Sequence, residues 1–143
     1  MRRVVVDASV AVKWVVQEDG SERAANLLDG RTLHAPALLL VEAANALLAM
    51  ARRGAVRPEA ADAGAAWLVR APLQIATMGP GLIERGFVLA TALGHPVYDC
   101  VYLALAVELA APLVTADERF LRAANGNPDL VQLMVPLSGI GPA

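Results

Sequence analysis

With 143 residues and 57% hydrophobic content, the chain has enough apolar material for one domain with both faces of a sheet covered, which excludes a disordered polypeptide. Charged residues make up only 18% and the formal net charge is -2, so no bulk positive field draws in nucleic acid and any such binding has to be local. A single cysteine, Cys100, excludes an internal disulfide framework and fits a reducing, cytoplasmic setting.

Residues 4–6 read as a buried strand that stops on Asp7, and helical spacing resumes over residues 8–16. The three valines before Asp7 are too short for a secretion signal. Ser21 suits the N-cap of a second helix over residues 23–28, with Gly30 beyond its end. Residues 32–35 form a short strand. Pro36 suits the first turn of a long helix to about Arg53, stopped by Gly54. This stretch is the most membrane-like in the chain, but Glu42 and Asn45 interrupt it, so no membrane span is expected.

Pro58 opens another helix to about Arg70, residues 73–76 make a third strand, and Gly79-Pro80-Gly81 breaks the chain before a helix to about Leu93. Pro96 starts the most apolar helix, residues 97–110, with Asp99 in its first turn and Pro112 ending it. Then come a strand over residues 113–116, Asp117, a helix over residues 118–124, a turn at Asn125-Gly126-Asn127-Pro128 and a last strand over residues 131–134. Strands alternating with helices predict a single α/β domain over residues 1–143, with a central, mainly parallel sheet between helical layers.

Four acids stand out in this frame. Asp7 and Asp117 lie where parallel strands emerge, at the edge where open α/β sheets bind ligands. Glu42 and Asp99 sit inside apolar helices. Two like charges about 4 Å apart repel by roughly 4 kcal/mol at an effective dielectric near 20, so four converging carboxylates call for a cation. Each also has a plainer use: Asp7 and Asp117 as helix caps, Asp99 as a complement to the helix dipole. Glu42 is the hardest to explain that way, because Asn45 is its only polar neighbour at helical spacing. Ser9 and Thr115, each two residues from a strand-end aspartate, serve either as caps or as polar neighbours of a bound ion. His34 and His95 have no Cys or second His at ligand spacing and are read as structural, which argues against zinc. Arg52, Arg53 and Arg57 form the only dense basic patch, either a solvated helix end or a phosphate contact.

Taken together, Asp7-Ala8-Ser9-Val10, Glu42-Ala43-Ala44-Asn45-Ala46-Leu47, Tyr98-Asp99-Cys100-Val101-Tyr102-Leu103-Ala104-Leu105-Ala106 and Thr115-Ala116-Asp117-Glu118-Arg119-Phe120 resemble the PIN-domain ribonucleases, more narrowly the VapC-type toxins of toxin-antitoxin pairs. The resemblance spans nearly the whole chain. It implies a three-layer α/β/α sandwich, a catalytic quartet of Asp7, Glu42, Asp99 and Asp117 binding Mg²⁺ or Mn²⁺, and supporting polar residues Ser9, Asn45 and Thr115. It further implies an RNA substrate, a cognate VapB-type antitoxin and a homodimer. Residues 57–93 carry no diagnostic position, and Ala110-Ala111-Pro112 stands where such proteins commonly have a glycine. Two other readings are a phosphohydrolase resembling the haloacid dehalogenase group, which needs an acid where Ser9 stands, and a catalytically silent PIN-like binding module.

Overall fold

The computed structural model describes residues 2–142, so the ends of the expected domain, Met1 and Ala143, lie outside the described residues. Five strands, β1 (Arg3–Val6), β2 (Thr32–Pro36), β3 (Leu73–Ala76), β4 (Leu113–Thr115) and β5 (Met134–Pro136), form one sheet in the order β3-β2-β1-β4-β5. Every pairing is parallel. Val4, Val5 and Val6 are fully buried, as an unbroken apolar run in a sheet covered on both faces should be.

The connections run outward from β1 in two directions. The first two carry α1 (Ala8–Ala11), α2 (Ser21–Asn26), α3 (Leu38–Arg52) and α4 (Pro58–Leu68). The return to β4 and the last step to β5 carry α5 (Pro80–Leu93), α6 (Val97–Leu109), α7 (Glu118–Ala124) and α8 (Pro128–Val131). Right-handed crossovers travelling in opposite directions cover opposite faces, which makes the three-layer sandwich. α3 packs on α1 and α4, whereas α6 packs on α5 and lies against β1, β2 and β4.

α6 is the central helix: residues 100–106 are all buried. Its approach to α5 depends on Gly86, where an added Cβ would lie 3.0 Å from Val101 Cγ2 and 3.3 Å from the Val101 backbone. No single helix among the described residues is long and apolar enough to cross a membrane; α5 and α6 reach that composition only together, and they are bent by 112°.

Four local expectations are corrected. Ser21 is the first residue of α2, not its cap; Gly20 takes the cap position at φ 88°, and Ser21 Oγ instead donates to the Val16 carbonyl and accepts from the Glu18 N–H. Pro36 ends β2, and α3 begins two residues later, because Pro36 continues the parallel pairing with Ala76. The last strand starts at Met134, since Asn127 caps a short helix through Leu130 N–H and takes up the residues between. Finally, α6 stops before Pro112: Ala110 adopts the left-handed conformation at φ 49°, holding the turn shape that glycine favours.

Candidate functional site

Parallel sheets gather ligands where the connections leave in opposite directions, and here that point falls between β1 and β4. Asp7 follows β1 directly. It is 4% exposed and caps α1, its Oδ1 accepting from Val10 N–H at 3.3 Å and from Ser9 Oγ at 2.5 Å, while Oδ2 accepts from Thr115 Oγ1. The two hydroxyls are tied to the other strand's exit. Ser9 Oγ accepts from Ala116 N–H and Thr115 Oγ1 accepts from Asp117 N–H, each at 3.0 Å. Asp117 in turn caps α7 through Phe120 N–H at 3.2 Å.

The two helical acids arrive from opposite layers. Glu42 is half-buried on α3 and accepts from Tyr102 Oη at 2.5 Å. Asp99, in the first turn of α6, accepts from His95 Nε2 at 2.6 Å, and the His95 ring stacks on Phe120 at 4.8 Å between centroids. Asp7, Glu42, Asp99 and Asp117 all line one open cleft of about 390 Å³. The sequence-predicted quartet is therefore brought together.

Of the expected supporting residues, Ser9 and Thr115 hold Asp7. Asn45 does not join them. It is exposed in a shallow groove with Leu40, Val41, Ala44 and Leu48, because the stripe of α3 facing the cleft runs through Glu42, Ala46 and Met50. Sequence reasoning missed Tyr102, His95, Lys13 and Glu18. The first two were legible in part, since His95 and Tyr102 lie four residues before and three residues after Asp99. The basic patch of Arg52, Arg53 and Arg57 is exposed at the end of α3.

Burial and mutual repulsion push the carboxyls of Asp7, Glu42 and Asp99 upward. Asp7 rises from 3.8 to about 6, mainly by burial and also by the charge of Asp99, against the lowering effect of Ser9, Thr115 and Val10. Glu42 rises by burial and by Asp99, Tyr102 opposing. Asp99 rises by burial and by Asp117, with the hydrogen bond and charge of His95 opposing. Every one of these repulsions involves Asp99, which is the electrostatic centre of the cluster. The Tyr102 hydroxyl is pushed well above its ordinary value by burial and by Glu42, Asp7 and Asp99, so it remains a donor.

Among the described residues, no three His, Cys, Asp or Glu side chains are grouped closely enough to hold a metal ion as they stand. The donors are all carboxylate oxygens, each already turned toward a hydroxyl, ring or backbone N–H. Such a set suits a hard cation that keeps several waters and takes only one or two direct carboxylates. It does not suit zinc.

Sheet order and cleft together define an α/β sandwich protein with an acidic cleft at its topological switch point. The chain belongs to the PIN domain family, which matches residues 4–126. It is 32% identical over 120 residues to Ribonuclease VapC3 of Pyrobaculum aerophilum, covering 82% of this chain and 91% of that one. In structure it resembles PAE2754 of the same organism, with a TM-score of 0.67 at 22% identity over 96% of this chain and 90% of the other. It also resembles a chain of VapBC2 from Rickettsia felis, solved bound to a promoter DNA fragment, with a TM-score of 0.64 at 15% identity over 94% and 98% of the two chains. Family membership displaces the phosphohydrolase reading, as does Ser9, whose hydroxyl serves Asp7.

The raised Asp7 value has a stability consequence. A folded value of about 6 against an ordinary 3.8 means that the proton is held more tightly in the folded state, so stability is greatest below pH 3.8, falls as pH rises from there to about 6, and levels off above. The loss approaches about 3 kcal/mol when ionisation is complete. In chelator, thermal unfolding of Asp7→Asn against wild type should therefore show an advantage for the variant that grows between about pH 4 and about pH 6 and then levels off. A difference independent of pH would contradict the assignment.

Proposed function

We propose that this chain is a divalent-ion-dependent endoribonuclease, the toxin member of a toxin-antitoxin pair, acting as one cytoplasmic domain. The observation that carries the reading is the meeting of four acids from separate chain segments in one cleft, coupled through Asp99. Membership of the PIN family and the ribonuclease name of the P. aerophilum relative support RNA as the substrate.

Asp7 and Asp99 are the residues that would hold the principal ion, with Asp117 completing its surroundings or joining Glu42 at a second one. When bound, Mg²⁺ or Mn²⁺ supplies positive charge against the scissile phosphate and its leaving oxygen and lowers the pKa of an attacking water. The protein's part is positional. Ser9 and Thr115 fix both oxygens of Asp7, and His95 fixes Oδ2 of Asp99, which leaves Oδ1 for the cleft. Tyr102 holds Glu42 by Oε1. In hydrolysis the water oxygen bonds to phosphorus, a cleft carboxylate receives the water's proton, and one P–O ester bond breaks with its oxygen leaving protonated. No side-chain nucleophile is needed.

Purified wild-type protein should cleave RNA with Mn²⁺ or Mg²⁺ and stop in excess chelator. Asp99→Asn should lose at least about a hundredfold in rate, as expected for a group that stabilises transition-state charge, while keeping its circular dichroism spectrum. New RNA ends mapped after brief induction, absent with Asp99→Asn, would identify the substrate. Cleavage by Asp99→Asn at the wild-type rate would overturn the mechanism, and a wild type that binds RNA without cutting it would favour the silent binding module.

Two protein partners belong to the proposal. A small VapB-type antitoxin that covers the acidic cleft would silence the chain, a reading supported by the likeness to a chain of a VapBC assembly. A homodimer is favoured by α3, whose outer face leaves Val41 68% and Leu48 47% exposed beside Leu40 and Ala44. Light scattering should give the mass of two chains for wild type and of one for Val41→Asp. A monomeric wild type, or a dimeric variant, would remove this face from the interface.

A further inference from the structure

A second groove, of about 410 Å³, adjoins the acidic cleft, and the two share Lys13 and Ala116 as their common wall. Thr115, which lines this second groove, donates to Asp7, which lines the first, so the groove begins one hydrogen bond away from the acid cluster. Its volume falls within the roughly 300–1,000 Å³ typical of small-ligand sites. Leu121, Pro136 and Leu137 give it an apolar side, Arg23 adds a guanidinium held by the Ile140 carbonyl at 2.6 Å, and Asp19 and Glu118 add two carboxylates at its rim, so its positive charge is local to Lys13 and Arg23.

Lys13 stands at the junction and is built in. It is the only cationic side chain lining the acidic cleft among the described residues, where it faces Asp7, Glu18, Glu42, Asp99 and Asp117. Its stem packs over Gly20, where an added Cβ would lie 3.4 Å from both Cδ and Cε; the side chain is only 15% exposed. Nζ donates to Glu18 Oε1 at 3.1 Å and to the Asp19 carbonyl at 2.7 Å. An ammonium has three N–H donors, so one remains after these two. The tether thus orients a positive charge at the edge of an acid cluster that otherwise repels a polyanion.

We propose that Lys13 is a positioning residue that holds a backbone phosphate of the substrate at the junction of the two clefts, and that the second groove receives the nucleotide adjoining the scissile bond. This rests on the ribonuclease reading. It assigns Lys13 to binding and register along the strand, with the chemistry left to the carboxylates.

The test uses a labelled oligoribonucleotide spanning the mapped cleavage site, with saturating Mn²⁺ over a range of salt. Lys13→Gln should raise KM at least tenfold while kcat changes less than threefold, and the slope of log KM against log salt should fall by about 0.7, the contribution of one phosphate contact on a single strand. Lys13→Arg should recover most of the affinity. Ser138→Glu, which adds a carboxylate at an exposed position of the second groove, should raise KM with no change in melting temperature. The proposal is overturned if Lys13→Gln keeps the wild-type KM and salt slope, if its KM merely follows a lowered melting temperature that Lys13→Arg shares, or if Ser138→Glu has no effect. Absence of cleavage by wild type overturns the ribonuclease reading and this one together; retention of wild-type cleavage beside unaffected variants overturns this one alone.

Discussion

A buried carboxylate at the exit of the central strand is the constraint on which the rest of the site depends. Asp7 is held from both sides of the switch point, by Ser9 in the first turn of α1 and by Thr115 at the end of the neighbouring strand. Those same hydroxyls accept from the backbone N–H groups of Ala116 and Asp117. One acid thereby locks the exits of β1 and β4 to each other and orients the loop that presents Asp117. The arrangement stabilises the junction through hydrogen bonds to a charged acceptor, which contribute roughly 1.5–3 kcal/mol each, and it opposes the cost of burying that charge.

The two helical layers close on this junction and bring charges that the fold alone does not neutralise. Asp99 enters from α6 and Glu42 from α3, each held by a neighbour on or just before α6, His95 and Tyr102 respectively. Because α6 is the buried helix of the sandwich and is seated by the Gly86–Val101 contact, the position of Asp99 is set by core packing. Repulsion among the acids is therefore sustained by the hydrophobic core, a local cost of the kind that functional sites carry. On the proposed function a bound cation would relieve it, which would couple ion binding to stability.

Much of this was legible from residue order. The apolar runs ending on Asp7 and Asp117 announced parallel strands whose exits meet, and the isolated acids in two apolar helices announced a need for company. What periodicity does not carry is which way a helix is rotated about its axis, so Asn45, one row away from Glu42, fell outside the cleft. Capping preferences misled at Ser21 because Gly20, free to take positive φ, claimed the cap. Local propensity yielded to sheet pairing at Pro36 and to the Asn127 cap before Met134. His95 read as structural because a lone histidine lacks ligand spacing; its role is to hold Asp99, a partnership visible only once the ring is seated on Phe120.

The central claim is that the four carboxylates are one divalent-ion site, and calorimetric titration with Mn²⁺ tests it without any substrate. Since Asp7 holds its proton to about pH 6, binding at that pH should release protons, so the measured heat should depend on the ionisation enthalpy of the buffer and lose that dependence near pH 8. Asp99→Asn, which removes the electrostatic centre, should bind at least tenfold more weakly. Undetectable binding by wild type, or equal binding by the variant, would contradict the account.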